Sequence, residues 1–407
     1  MSNKNDMSAS DFIYLDHCGT TPTSDAVRAE MLLYLQNETF GNPAARHHPA
    51  GSAAHECVEN ARAEIAAILN VHHDGVVFTS GATESNNLVI YGFLNRHRDR
   101  GCRIIVGASE HKSALEPALQ AGSFGNSTVS TLPINRSTAV IDPDDLENLL
   151  KKSSSIPTLV VLMHCNNEVP ARHPVEVVAK ICRHYGAFFH CDAVQGVVRE
   201  AIDFRHLGAS SLTWTPHKLY GPKGVGVLLL DDIRPMRIQP LHRGGEQEKS
   251  LRPGTLNTMG IAMTAATLRE HSKRRSDLVA HLRLSEDLFV KMLTDADIGF
   301  NLTVPLSPEC PGIVNFWLAN IEVQTLLASL GPVCVNRGAS CTGAGGEKMS
   351  HVPGAMGLPI EIAANVIRAS FGFAATVPQV KKAADIIVDV TRKLRARTGT
   401  SLQTRPV

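Results

Sequence analysis

The chain has 407 residues, 43% apolar and 19% charged, the balance of an ordinary globular protein that is too long for one compact core. A formal charge of +1 gives no electrostatic case for nucleic acid or an anionic membrane as partner. Apolar runs such as TLVVLM fall far short of a membrane span, and the polar opening MSNKNDMSAS carries no targeting pattern, so a cytoplasmic protein is expected.

From Ser24 to Leu230 helix and strand signals alternate. Ser24 and Ser52 read as helix N-caps, the second opening a helix with Val58, Ala61, Ile65, Ile68 and Leu69 along one face. GVVFTSG reads as a strand ending in a turn, followed by the helix ESNNLVIYGFL. RIIVG and STVSTLPI are further strands, and IDPDDLENLLKK is a helix capped by Asp142 with Pro143 at its first position. The strand TLVVLMH, the helix PVEVVAKICRHYG closed by Gly186, and the strand AFFHCD continue the rhythm. This is the pattern of an α/β fold with a mostly parallel central sheet and helices on both faces. After Gly260 long helices take over, SDLVAHLRLSEDLFVKML among them, with GIVNFWL as a strand. Residues 17–262 are therefore expected to form a large domain, and residues 1–16 with 263–407 a smaller α+β domain.

Nine cysteines stand at positions 18, 57, 102, 165, 182, 191, 310, 334 and 341, none in a C-x-x-C pair. The odd count and the spacing suggest neither a disulfide framework nor a zinc knuckle. Cys182, His184, His190 and Cys191 make a loose group that fits a helix end, a glycine stop and a buried strand better than a metal site, and no metal is expected.

In open α/β sheets ligands bind outside the carboxyl ends of the strands. Four polar clusters fall at such ends: SGATESNN after VVF, HCNNE after TLVVLM, HCDAVQ at the end of AFF, and TPHK after SLTW. Gly81, Ala82 and Thr83 lie between a strand and a helix start, where backbone N–H groups and the helix dipole favour an anion; taken alone they read as easily as a turn with Thr83 as cap. Asp192 follows two buried aromatics and needs a partner for its charge, although a surface acid at a strand end is as good a reading in isolation. Asn166 and Asn167 suit a turn, and His111 suits an exposed helix start.

Lys218 ties the clusters together. A lysine held near apolar walls and other cations has its ammonium form disfavoured and can act as a nucleophile toward an aldehyde. Pyridoxal phosphate supplies that aldehyde, a phosphate for the helix start and a pyridine nitrogen that wants a carboxylate. Asp192 would hold that nitrogen protonated, Gln195 would reach the phenolic oxygen, and His111 would stack on the ring.

With those residues in place the chain resembles the pyridoxal-phosphate-dependent cysteine desulfurases and selenocysteine lyases, within the class V aminotransferase group of fold type I. The resemblance runs through YLDHCGTTP, FGNPAARHHPAG, FTSGATESNN, HCNNEVP, HCDAVQ, HKLYGPKGVG, GGEQEKSLRPGTLNT, RGASCTG, SHVPGAMG and NVIRASFG, in order and over nearly the whole chain. It implies Lys218 as the lysine that carries the cofactor, Asp192 and Gln195 on its ring, His111 stacked over it, and Ala82, Thr83, Thr215 and His217 around the phosphate. It implies Thr255 reaching the phosphate of the other subunit of a homodimer. Asn167 and Arg368 would receive the substrate carboxylate, Arg368 as a bidentate fork. Cys341, in the Gly-rich run NRGASCTGAGGEKMS, becomes the thiol whose thiolate takes sulfur or selenium from L-cysteine or L-selenocysteine and leaves L-alanine, with His111 as acid–base helper. An acceptor protein for the sulfur or selenium is implied as a partner.

The chain departs from the family pattern in places. The usual LDNNATTP is LDHCGTTP, Ser-Gly before His-Lys is Thr215-Pro216, and RPGT carries a proline where bacterial desulfurases often have serine. Pro216 removes a backbone donor. The segment between Cys341 and SHV leans toward selenocysteine lyases. Another aminotransferase or β-lyase on the same scaffold, or a catalytically retired sulfur-delivery partner, are the alternative readings.

Overall fold

The computed structural model describes residues 12–37, 39–152, 156–231, 238–337 and 349–398. After a two-residue strand, β1 (Ile13–Tyr14), come the seven strands of the central sheet. These are β2 (Val76–Thr79), β3 (Arg103–Gly107), β4 (Thr128–Leu132), β5 (Thr158–Met163), β6 (Phe188–Asp192), β7 (Ser211–Trp214) and β8 (Gly226–Leu230). Their order is β2-β8-β7-β6-β5-β3-β4. Neighbours from β4 to β7 pair parallel, while β8 runs antiparallel to both β7 and β2.

Alternation along the strands explains why both faces need cover. Ile104, Val106, Leu159, Val161 and Leu228 point into one apolar cluster with Leu88, Phe93 and Leu115 from the helices Ala82–Arg96 and Lys112–Ala121. Ile105, Val160, Leu162, Leu212 and Leu229 point into the other, which holds Val58, Ile65 and Leu69 of the helix Pro49–Leu69. A period of two within a strand, buried on both sides, gives the near-continuous apolar runs seen in the sequence.

Ser24 does cap its helix, accepting from Val27 N at 3.3 Å, and Asp142 caps the helix Pro143–Lys151. Ser52 does not cap. Its helix starts three residues earlier at Pro49, with His48 Nδ1 accepting from Gly51 N at 3.1 Å, and Ser52 Oγ donates to Arg46 O instead. Proline in the first turn costs no hydrogen bond there, which moves the start upstream.

The rest of the described chain is built on a 38-residue helix, Thr258–Asp295, which runs across position 262 and packs against Pro49–Leu69 and the final helix Val377–Thr398. A three-stranded antiparallel sheet follows from β9 (Phe300–Leu302), β10 (Ile313–Leu318) and, after the short β11 (Val333–Cys334) that pairs with β1, β12 (Ile367–Ser370), with β10 in the centre. No helix among the described residues is long and apolar enough to cross a membrane.

Candidate active site

The four polar clusters meet in one cleft of about 420 Å³ at the carboxyl ends of the central strands. Its walls include Ala82, Thr83, His111, Asn167, Asp192, Gln195, Thr215, His217 and Lys218. Residues separated by more than a hundred positions come together because parallel strands deliver all their carboxyl ends to one edge.

At one end of the cleft the helix Ala82–Arg96 begins with no side-chain cap, and a Cβ built on Gly81 meets nothing within 4 Å. Bare N–H groups, the helix dipole and open space make an anion site. Lys223, on the GPKG turn, also lines this cleft. Thr215 Oγ1 donates to Val225 O at 2.8 Å, and His217 Nδ1 lies 3.1 Å from Thr20 Oγ1. Burial, with Lys218 and Lys223 adding to it, lowers the His217 imidazole to about 4, so it is neutral near pH 7.

Asp192, the last residue of β6, is 4% exposed. Its Oδ2 accepts from Asn86 Nδ2 at 2.8 Å and its Oδ1 from Val194 N at 3.1 Å. Asn86 is fixed in turn: Nδ2 also donates to Ser113 Oγ at 2.9 Å, and Oδ1 lies 2.9 Å from His190 Nε2. Burial drives His190 down to about 3, so the neutral ring donates through Nε2 and accepts through Nδ1, 2.8 Å from Ser211 Oγ. A line of hydrogen bonds thus aims a buried carboxylate into the cleft. His190, considered above with the loose metal group, is a link in that line.

Lys218 closes a short 3₁₀ turn after β7. Its Nζ donates to the main-chain oxygens of Cys18 at 2.6 Å and Gly19 at 2.5 Å. Gln195 crosses the same segment, with Nε2 donating to Cys18 O at 3.2 Å and Oε1 accepting from Arg199 Nη1 at 2.9 Å.

His111 caps the helix Lys112–Ala121, its Nδ1 accepting from Ser113 N at 3.1 Å. An N–H can only donate, so the ring proton sits on Nε2 when His111 is neutral. Burial lowers the His111 imidazole, and Lys218, His351 and Lys112 add to this against Asp192. Asn166 is a turn former, its Oδ1 accepting from Glu168 N at 2.7 Å and Val169 N at 3.1 Å.

Three predicted residues are not brought to this wall. Arg368 is fully buried behind Asn167, donating from Nη1 to Asn167 O at 2.7 Å. Thr255 is exposed and borders a separate cavity of about 660 Å³ with Arg62 and Glu248. Cys341 lies outside the described residues. Glu168, Lys112, Lys223 and His351 line the cleft without having been singled out in the sequence; for Glu168 the signal was present in HCNNE. His164, Cys165 and Glu200 stand at metal-like spacing, within 4.8 Å of one another. Both oxygens of Glu200 are already bonded to Arg172, at 2.9 and 3.2 Å, so a cation is in place there.

These residues fit pyridoxal phosphate: a lysine, a buried and tightly held carboxylate, an uncapped helix start with room for an anion, and a cleft in which Lys112, Lys218 and Lys223 outnumber Glu168 and Asp192. The comparisons agree. The class-V aminotransferase family matches residues 13–382. A cysteine desulfurase IscS of Dictyoglomus turgidum is 34% identical over 385 residues, covering 94% of this chain and 95% of that protein. One from Neisseria meningitidis is 33% identical, covering 94% and 93%. Among solved structures, a NifS-like protein superposes with a TM-score of 0.84 at 29% identity over 94% of this chain and all of the other. A NifS-like protein from Rickettsia africae gives 0.81 at 27% identity, covering 94% and 99%. The chain belongs to the class-V aminotransferases, and within them to the pyridoxal-phosphate-dependent cysteine desulfurase family.

Proposed function

We propose that this protein removes sulfur from L-cysteine, leaving L-alanine and a persulfide on its own Cys341. The observation that carries the reading is the convergence of Lys218, Asp192, Gln195, His111 and the uncapped helix start on one cleft. Bound through Lys218, pyridoxal phosphate supplies an electron sink that makes the substrate's α-carbon acidic and its side chain labile. Asp192, with Asn86 behind it, holds the cofactor's ring nitrogen protonated. Gln195 would reach the phenolic oxygen, His111 would cover the ring face, and Ala82, Thr83, Thr215 and His217 would hold the phosphate. Lys218 Nζ takes the proton from the substrate α-carbon and returns it elsewhere on the same framework, the two carbonyls at 18 and 19 fixing where the amine rests. Asn167, on the cleft wall, would meet the substrate carboxylate, and Arg368, buried behind it, would supply the positive charge that draws it there. Cys341 supplies the thiolate, with His111 moving the proton that makes it one.

A homodimer is part of the proposal. Thr255 is exposed beside a large cavity, and Leu32, Leu33, Leu35 and Phe40 present apolar surface, Phe40 being 82% exposed. The division at residues 17–262, the cytoplasmic location and a sulfur-accepting partner protein are likewise proposed. Selenocysteine remains a candidate substrate by its chemistry, but the relatives named above are desulfurases of cysteine. Lys218 and Asp192, both in the cleft, favour an active enzyme over a retired partner.

The test is alanine and sulfide release from L-cysteine with a thiol reductant, comparing wild type with Cys341→Ala. Loss of sulfide release in the variant, with the cofactor's visible absorption retained, is expected. Undiminished turnover without Cys341 would point to a transaminase or a different β-lyase.

A further inference from the structure

His351 opens a five-residue helical turn, His351–Ala355, capped by Ser350. Ser350 Oγ donates to Glu168 Oε2 at 2.6 Å, which fastens the turn to the segment after β5 that carries Asn167. The His351 ring lines the cleft together with His111, Asn167 and Glu168. Its Nε2 lies 2.9 Å from the main-chain oxygen of Glu110. A carbonyl only accepts, so Nε2 carries the proton and Nδ1 of the neutral ring keeps its lone pair. That Nδ1 is buried and has no hydrogen-bond partner among the described residues. An unmatched buried acceptor is an uncompensated cost, and a donor on a ligand removes it.

The chemistry of the surrounding groups narrows the donor. His111 Nδ1 is already taken by Ser113, the lysines of the cleft only donate, and Asp192 and Glu168 are acids. With its proton on Nε2, His351 offers an uncharged acceptor at Nδ1, in a cleft that also holds three lysines and two carboxylates. A neutral lone pair suits a neutral X–H and repels an anion.

We propose that His351 is a specificity-determining residue whose Nδ1 accepts a hydrogen bond from the S–H of the substrate, favouring cysteine over selenocysteine. The assignment rests on the desulfurase reading above. A selenol is a stronger acid than a thiol, so selenocysteine arrives largely as selenolate, with no proton to donate and a negative charge facing the lone pair. In the transfer itself the enzyme thiolate bonds to the substrate sulfur as the carbon–sulfur bond breaks. The electron pair of that bond stays with the carbon skeleton, and the sulfur keeps its hydrogen. His351 moves no proton; it holds the thiol neutral and oriented.

The experiment is steady-state alanine release by the holoenzyme from L-cysteine and from L-selenocysteine, for wild type, His351→Phe and His351→Gln. His351→Phe is expected to lower the cysteine-to-selenocysteine ratio of kcat/KM about tenfold, the loss falling on cysteine, as removal of one hydrogen bond implies. His351→Gln, whose side-chain oxygen also accepts, recovers most of the ratio. Should the phenylalanine variant lose its cofactor, His351→Ala takes its place, removing the acceptor without adding bulk. Equal losses on both substrates, or an unchanged ratio, overturn the assignment alone. A wild-type enzyme that releases alanine from neither amino acid overturns the desulfurase reading beneath it.

Discussion

Arg368 Nη2 donates to Asp16 Oδ1 at 2.5 Å, and the other oxygen of Asp16 accepts from Asn336 Nδ2 at 3.0 Å. Arg368 and Asn336 also exchange main-chain hydrogen bonds, at 3.0 and 2.6 Å. Asp16 therefore joins the arginine proposed for the substrate carboxylate to the chain just ahead of the segment that carries Cys341. On the proposed reading, an arriving carboxylate would meet a guanidinium that already has a counterion.

Asp16→Asn keeps the shape but removes that counterion from a fully buried cation. The expected loss of stability is about 3 kcal/mol in the absence of amino acid. L-Alanine, the proposed product, brings its own carboxylate and should raise the melting temperature of the variant more than that of wild type. Equal shifts in a thermal-denaturation series would place the carboxylate elsewhere.

Lys218→Ala leaves the phosphate end, Asp192 and Gln195 untouched. The variant should fold with a normal far-ultraviolet spectrum and lack the visible absorption of the lysine-bound cofactor. Alanine release should fall by at least about a thousandfold, the scale of losing an acid–base group together with covalent attachment. Absorption unchanged from wild type would mean another amine carries the cofactor.

Asn86→Ala breaks the line from His190 to Asp192 at its middle. Asp192 keeps only the Val194 N–H among its two hydrogen bonds, and His190 Nε2 loses its acceptor. Stability should drop by about 1–3 kcal/mol. Cofactor should also dissociate faster on dialysis, measured by loss of visible absorption, because the carboxylate is no longer aimed.

Acid should destabilise the fold from about pH 6.5 downward, because four buried histidines resist protonation in the folded chain. Burial lowers His17 and His271 to about 4 and His173 and His190 to about 3. Between those values and the ordinary 6.5 the unfolded chain binds more protons than the folded one, so unfolding free energy falls as pH drops below about 6.5. Glu286 works in the other direction. Burial raises it to about 8, so its contribution is full below its ordinary 4.5 and is lost as pH rises toward about 8. Urea midpoints should peak between the two limbs, and Glu286→Gln should flatten only the alkaline one.

Much of the cleft lining could be read from residues alone because polar groups at the ends of apolar strands stand out, as Lys218, Asp192 and Gln195 do; His111 by itself reads as an exposed helix start. What escaped depends on distant partners. Asn86 was visible within SGATESNN, but its task comes from His190, 104 residues away, and from Asp192, 106 away. The reversed direction of β8 follows from the turn after Lys218 and leaves no trace in its apolar run. Ser52 misled because serine is the commoner cap and histidine a rarer one, yet Pro49 fixed the helix start ahead of it. Arg368 reads from sequence as a bidentate fork; its full burial and its pairing with Asp16, 352 residues away, belong to the fold.

Lys218 rests on oxygens of the peptide backbone at 18 and 19, which every amino acid supplies alike. Replacing the usual Asn-Asn-Ala by His17, Cys18 and Gly19 therefore changes the side chains bordering the lysine without withdrawing its support. His17 and Cys18 are themselves buried, so those side chains shape the approach to the amine while the backbone keeps the amine in place.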